Sequence, residues 1–341
     1  MIADETIAQR RIVFGPLAEA LAALELRPPV AILGSARSIA AIPDDALPAP
    51  VRRFEGSRLH NPRAVVEAAG ALVDAERCAT VVAVGSSSAI DLGKAVADGR
   101  DVALVTIPTA LGGAEMTRGY GVLEGDRKTG GRLRRPAPFV VYDAALLASL
   151  PARELGSIGI NAWAHCVEAS YVRTPHALGE AAAHDGGRAL PALLLRAATH
   201  RDATVHRALF EAAHLGGFAI DTRSMGLHHA ACHVFGGLTG VPHGVVNAIV
   251  LPHAIRVNAA IAPDALARAA MALAVGDLAS TAESIAAAYE LPRTFAEAGA
   301  ATPGLAARAA ERIATQPLLQ NNPAVPDAEA IRRLCDAAVG A

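Results

Sequence analysis

The sequence predicts an α/β domain built on a parallel, doubly wound sheet, followed by an all-α domain, and three observations carry that reading. Short apolar runs alternate with helical stretches up to about residue 150. Runs of that kind disappear after Leu150. From there the chain is dominated by Ala, Leu, Arg and Glu in helical periodicity.

The strand-like runs are Pro29 to Leu33, Thr80 to Val84, Val102 to Ile107 and Phe139 to Tyr142, each bounded by Gly, Pro or charge. Continuous apolar runs of this length suit strands covered on both faces, as in a parallel sheet. Between them, Asn61 to Cys78 and Ala89 to Ala97 have helical patterning. Strand, helix and strand in alternation imply a right-handed, doubly wound arrangement. Ser149-Leu150-Pro151 marks the expected boundary, because proline is tolerated at the start of a helix. The expected domains are 1–150 and 151–341, the second broken by short loops at Gly236 to Pro242 and Gln316 to Pro326.

Composition excludes several classes of function. A net charge of -2 over 341 residues gives no general reason to expect nucleic acid or an acidic membrane surface as a partner. Cys78, Cys166, Cys232 and Cys335 are far apart and form no CxxC pair, which argues against a disulfide framework and a thiolate metal site. The N-terminal stretch has no basic region followed by an apolar one, and no uninterrupted apolar run is long enough to span a membrane. A cytoplasmic protein is expected. Lys94 and Lys128 are the only lysines in a chain that otherwise uses arginine. A compact ammonium retained at two places hints at a specific need for it.

Gly85-Ser86-Ser87-Ser88 follows an apolar strand and opens a helix containing Asp91. A helix N-terminus with free N–H groups and a positive dipole end attracts anions, so this loop is a candidate phosphate site. An ordinary serine N-cap fits the same residues. The P-loop and the GxGxxG dinucleotide fingerprint are both absent.

Five of the twelve histidines lie between His228 and His253. His229 and His233 are four apart and share a helix face, as do Asn161 and His165 upstream. The Gly236 to Pro242 loop could return His243 to the same point. Such a set can assemble a divalent-metal site of imidazole and oxygen type. His176, His184, His200, His206 and His214 fit plain helix-surface positions.

Taken together these stretches resemble the iron-containing alcohol dehydrogenase superfamily. Gly85 to Ser88 with Asp91 match its phosphate loop, and Ile107-Pro108-Thr109 through Glu115-Met116-Thr117 match a second segment. Asn161 to Glu168 match its Asp-Ala-x-x-His-x-x-Glu helix, and His229, His233 and Pro242-His243-Gly244 its histidine block. Within the superfamily, Val13-Phe14-Gly15, Ala114 to Thr117 and Gly121 to Thr129 are similar to maleylacetate reductases. The resemblance implies the dehydroquinate synthase-like fold and reduction of 2-maleylacetate to 3-oxoadipate with NADH or NADPH, in aromatic-compound degradation. It places the nucleotide on Gly85, Ser86, Ser87, Ser88, Asp91, Thr109, Leu111, Thr117 and Lys128. It implies a divalent ion, Fe or Zn, on Asn161, His165, His229 and His243, catalytic roles for His229, His233, His243 and Lys128, a carboxylate substrate and a homodimer.

Three departures from the pattern stand out. The phosphate loop is Gly-Ser-Ser-Ser instead of Gly-Gly-Gly-Ser, Ala110 replaces a threonine, and Asn161 replaces the anionic metal ligand. An amide oxygen leaves an ion less neutralised than a carboxylate does. A metal-free site with protonated His229 or His243 as the electrophile is the alternative to an ion. A reductase of another small carbonyl compound and a non-redox lyase or cyclase on the same scaffold are the rival activities.

Overall fold

The computed structural model describes residues 3–7, 9–125 and 127–340, those at 3–7, 127 and 128 by their backbone alone. The chain divides into two compact units, Met1–Leu150 with Asp202–Phe210, and Pro151–Arg201 with Glu211–Ala341.

The first unit runs β1 (Ala3–Ile7), β2 (Arg10–Phe14), α1 (Leu17–Ala22), β3 (Val30–Gly34), α2 (Ala36–Ile39), β4 (Val51–Phe54), α3 (Arg63–Ala75), β5 (Thr80–Gly85), α4 (Ser87–Ala97), β6 (Ala103–Pro108), β7 (Gly119–Glu124), β8 (Arg127–Arg132), β9 (Phe139–Tyr142) and α5 (Ala145–Ala148). The main sheet has the order β1-β2-β9-β6-β5-β3-β4, while β7 and β8 form a separate hairpin. All pairings in the main sheet are parallel except β1 with β2. The apolar runs read from sequence are β3, β5, β6 and β9, to within one residue at each end.

Alternation along the strands explains why those runs are continuously apolar. Val30, Ile32, Val82 and Val84 enter one core with Leu17, Leu21 and Ile39. Ala31, Leu33, Val81 and Ala83 enter another with Val66, Val73, Ile90 and Leu92. Successive side chains point to opposite faces, so a strand covered on both must be apolar throughout. The unit gains its second stretch of chain because Phe210 packs on Tyr142, with ring centroids 5.0 Å apart, and the Arg207 guanidinium lies 5.6 Å from the Phe14 ring centre.

The second unit contains α6 (Ala152–Tyr171), α7 (Ala177–Ala197), α8 (Ala203–Arg223, which begins in the first unit), α9 (Leu227–Thr239), α10 (His243–Ile261), α11 (Pro263–Ala272), α12 (Leu278–Ala288), α13 (Leu305–Ala314) and α14 (Ala328–Val339). No strand occurs after residue 150 among the described residues. Both α6 and α10 are buried over most of their surface, as befits central helices of a bundle. By length and composition α10 could also cross a membrane, with mean hydropathy 1.4, but 61% of it is buried within the chain, the mark of a core helix.

The expected Gly236 to Pro242 loop is shorter than the sequence suggested. Helix α9 runs through both glycines to Thr239 and stops at Gly240, whose φ of 69° closes the helix in the left-handed region. The Gln316 to Pro326 loop carries a 3₁₀ turn, Pro317–Asn321. The helix expected from Asn61 begins later, at Arg63, because Asn61 is buried and its side chain bonds the Arg58 amide and the Ser88 carbonyl. His206 and His214, expected on helix surfaces, are both buried; the apolar faces of α8 that carry them pack inward. All four cysteines are free and buried.

Candidate active site

The first part of the site lies at the carboxyl ends of the parallel strands. The chain passes from β3 outward to β4, returns past β3 to β5, and continues in the opposite direction through β6 to β9. That reversal between β3 and β5 is a topological switch point, where open α/β sheets bind ligands. Gly85 ends β5 there with φ 143°, a conformation side chains avoid, and a Cβ on it would come within 2.8 Å of the Ala89 Cβ. Ser86 and Ser87 are exposed and Ser88 half-buried. Ser86 occupies the N-cap position of α4, yet its hydroxyl makes no capping bond. The Ser86 hydroxyl is therefore not spent on capping, and the start of α4 carries the positive dipole end that favours an anion. Thr109 is half-buried at the end of β6 and donates its amide to the Gly85 carbonyl at 3.0 Å.

Other residues expected around the nucleotide have internal partners. Asp91 pairs with Lys94 Nζ at 2.9 Å and accepts the Gly121 amide at 3.1 Å, so both oxygens serve the fold. Thr117 Oγ1 lies 3.3 Å from Lys94 Nζ and 3.1 Å from the Ala114 carbonyl. Leu111 is buried. Lys128 belongs to β8, and its side chain lies outside the described residues. The other lysine, Lys94, braces the fold. It is fully buried and also donates to the carbonyls of Ala114 (2.9 Å) and Gly119. One ammonium thus fastens the 114–119 segment to α4. Three hydrogens on a compact head suit this task better than a planar guanidinium.

The second part of the site is built on α6, α9 and the start of α10. The structure brings the expected histidines together. The rings of His165 and His229 stack with centroids 5.0 Å apart, and His243 lies 6.2 Å from both His229 and His233. His165 and His229 are buried, whereas His233 and His243 are exposed. The cluster therefore has a dry floor and a wet rim.

Two residues that sequence reasoning did not assign hold the floor. Glu168, one turn beyond His165 on α6, is fully buried. Its Oε1 accepts the amides of Gly226 (3.0 Å) and His228 (2.9 Å), and its Oε2 the amide of His229 (3.3 Å) and the His229 ring at Nδ1 (2.5 Å). Asn322 Oδ1 takes the Leu227 amide at 3.1 Å. Burial alone would raise the Glu168 carboxyl. The neighbouring His228 and His229 imidazoles outweigh it and hold the group well below the usual carboxylate range. His228 Nδ1 stands 3.8 Å from the carboxylate, beyond hydrogen-bond distance. Burial pushes His165 well below the ordinary imidazole value, reinforced by His229 and His243, so its ring is neutral. His228 is likewise lowered, chiefly by burial, with its Nε2 3.2 Å from Cys232 Sγ.

Glu168, His228 and His229 each bring one potential ligand atom within 4.8 Å of the others. They are a poor ion cage, because both Glu168 oxygens already accept two donors each. The pattern is that of an outer-shell carboxylate orienting a histidine. The donors that fit an ion lie one step further out. Asn161 Oδ1, His165 Nδ1 and His229 Nε2 are all buried with no hydrogen-bond partner among the described residues. Unsatisfied buried polar atoms are costly, and a divalent cation accepts this oxygen and imidazole set.

A serine-lined loop at a sheet switch point, with buried and exposed histidines later in the chain, fits a nucleotide-dependent oxidoreductase. Two family models match this chain: iron-containing alcohol dehydrogenase over residues 11–144, and the Fe-containing alcohol dehydrogenase family, C-terminal, over 157–339. The chain belongs to the iron-containing alcohol dehydrogenase family. Maleylacetate reductase of Sphingobium indicum is 34% identical over 82% of this chain and 80% of its own length. The enzyme of that name from Burkholderia cepacia is 33% identical over 80% and 75%. The crystal structure of maleylacetate reductase from Agrobacterium tumefaciens superposes with a TM-score of 0.88 at 30% identity, covering 98% of this chain and 97% of that one.

Proposed function

We propose that this chain is a maleylacetate reductase, using NADH or NADPH to reduce 2-maleylacetate to 3-oxoadipate in the degradation of aromatic compounds. The observation that carries this reading is the match to relatives of that name over about four fifths of the chain, with 34% identity in the Sphingobium protein. When bound, reduced nicotinamide supplies the hydride. The substrate is an enone with a carboxylate at each end. Addition at the carbon β to the ketone places the electron pair on the ketone oxygen as an enolate, and a proton at the α-carbon completes the product.

The chain's own groups divide this work. Gly85 to Ser88 hold the pyrophosphate, with Thr109 bordering the nucleotide. Asp91 and Thr117 act indirectly, through Lys94 and the 114–119 segment. Lys128 assists with the ribose or a substrate carboxylate. His229 is held rigidly by Glu168 and faces the reaction with Nε2. His233, on the wet rim, exchanges protons with solvent and relays one to the α-carbon, and His243 shares that role only where no ion is bound. Asn161, His165, His229 and His243 would hold a divalent ion, which supplies Lewis-acid stabilisation of the developing oxyanion when bound. We place the enzyme in the cytoplasm as a homodimer, joined where β1 leaves the main sheet with an open edge.

The test is to mix the purified chain with NADH or NADPH and then maleylacetate, following the reduced-nicotinamide absorbance. Consumption that tracks 3-oxoadipate formation is expected. Nucleotide binding without consumption would transfer the chain to another carbonyl substrate. No binding of either nucleotide would overturn the reductase reading in favour of a non-redox activity.

A further inference from the structure

The start of α9 poses a problem that its own sequence does not solve. Gly226 is the N-cap and has no side chain, so the opening amides of a buried helix need acceptors from elsewhere. Glu168 from α6 takes those of Gly226, His228 and His229, and Asn322 takes that of Leu227. Asn322 is itself fixed: its amide donates to Asn258 Oδ1 on α10 and to the Ala324 carbonyl, both at 2.7 Å. The preceding residue, Asn321, donates to the carbonyls of Arg223 and Met225 and accepts from Thr174, tying the same loop to the approach to α9. A Cβ on Gly226 would lie 2.7 Å from Asn322 Oδ1 and 3.3 Å from Glu168 Oε1, so only glycine admits both acceptors.

We infer that Glu168 and Asn322 act as one positioning device that fixes both the place and the tautomer of His229. Because Glu168 also meets His229 Nδ1, an ionised carboxylate there requires the ring to carry its proton on Nδ1. In the neutral ring, that leaves Nε2 free to face an ion, water or substrate. Asn322 contributes through the backbone: it holds Leu227, two residues before His229, and so sets the first turn of the helix that aims the ring. The 316–326 loop is thereby part of the catalytic scaffold although none of its residues belongs to the histidine cluster.

This inference rests on His229 serving the proposed reductase, and its test separates the two. In the purified full chain, long-range ¹H–¹⁵N NMR of the histidines should show His229 protonated at Nδ1, with a strongly downfield proton. Glu168→Gln places an amide where the carboxylate stood, and an NH₂ group facing the ring forces protonation at Nε2. The same variant should lower kcat about 10–100-fold, the usual cost of losing an outer-shell partner, with KM for the nucleotide unchanged. Asn322→Ala should keep the Nδ1 tautomer but weaken protection of that proton from exchange and lower kcat. An Nε2-protonated His229 in the unaltered protein overturns the inference whatever the variants do. A tautomer that switches in Glu168→Gln, in a protein that reduces no maleylacetate, upholds the device and overturns the reductase reading instead.

Discussion

Each unit contains a fully buried charged side chain that organises backbone, and the two work in opposite senses. In the α/β unit, Lys94 gathers carbonyl oxygens of the 114–119 segment and is paired with Asp91. In the helical unit, Glu168 gathers amide hydrogens at the start of α9 and meets no cation among its hydrogen-bonded partners, only amides and an imidazole. The Lys94 pair is close to neutral, so its product is shape. Glu168 keeps its negative charge at the back of His229, so its product is shape together with a field.

The largest effect should come from breaking the paired charge. Lys94→Met leaves Asp91 and two carbonyls without their partner, and should cost about 3–5 kcal/mol in denaturant unfolding. The value should fall toward the lower end because Asp91 is partly exposed to water. Adding Asp91→Leu should recover part of the loss, and strict additivity would show that the two residues are not a functional pair.

Next comes pH, which separates the two kinds of charge. Neutral burial of His165 and His228 lowers their pKa in the folded chain, so the unfolded state binds more protons below the ordinary imidazole value. Stability should therefore be full above about pH 6.5 and fall as pH drops, by up to roughly 1.4 kcal/mol per unit for each histidine. Glu168, with its pKa depressed, keeps its full contribution down to the ordinary carboxylate value and loses it progressively only below that. Thermal melting from pH 8 to 5 in chelator measures this, and a flat profile would mean that the histidines are not held neutral.

A smaller and more selective contrast lies in two glycines. Gly85→Ala adds a side chain at a positive φ and should strain the loop by about 1–3 kcal/mol. Its readout is weaker nucleotide binding by calorimetry. Gly226→Ala crowds Asn322 and should lower kcat while nucleotide affinity holds. A mutation that moved both quantities equally would blur the distinction between the units. Smallest of all, Asn161→Asp restores a negative ligand and should raise retention of a divalent ion about tenfold in competition with a chelator.

The same contrast explains what could be read from sequence. Strands β3, β5, β6 and β9 were legible because burial on both faces leaves an unbroken apolar run. Strand β4, Val-Arg-Arg-Phe at the sheet margin, and the glycine-rich β8 carry no such run, so packing context alone makes them strands. His165 and His229 were legible by helical spacing, and Gly85 to Ser88 by position. The buried braces were not. Lys94 was flagged by rarity only, and Asn322 reaches an amide 95 residues away in the chain. Nonlocal caps leave no periodic trace, whereas local ones do.

The short segment Asp202–Phe210 has a practical consequence. The α/β unit is assembled from two stretches of chain separated by helices of the other unit. A fragment ending at Leu150 would lack Phe210 and Arg207, exposing the Tyr142 and Phe14 rings that they cover. Such a fragment would present a sticky aromatic face and favour aggregation over a clean nucleotide-binding module. Ribosomal synthesis meets the same constraint, since this unit cannot be completed until more than half the chain has emerged. Recombination between relatives would have to keep both stretches from one parent, so the heritable block is larger than the domain it encodes.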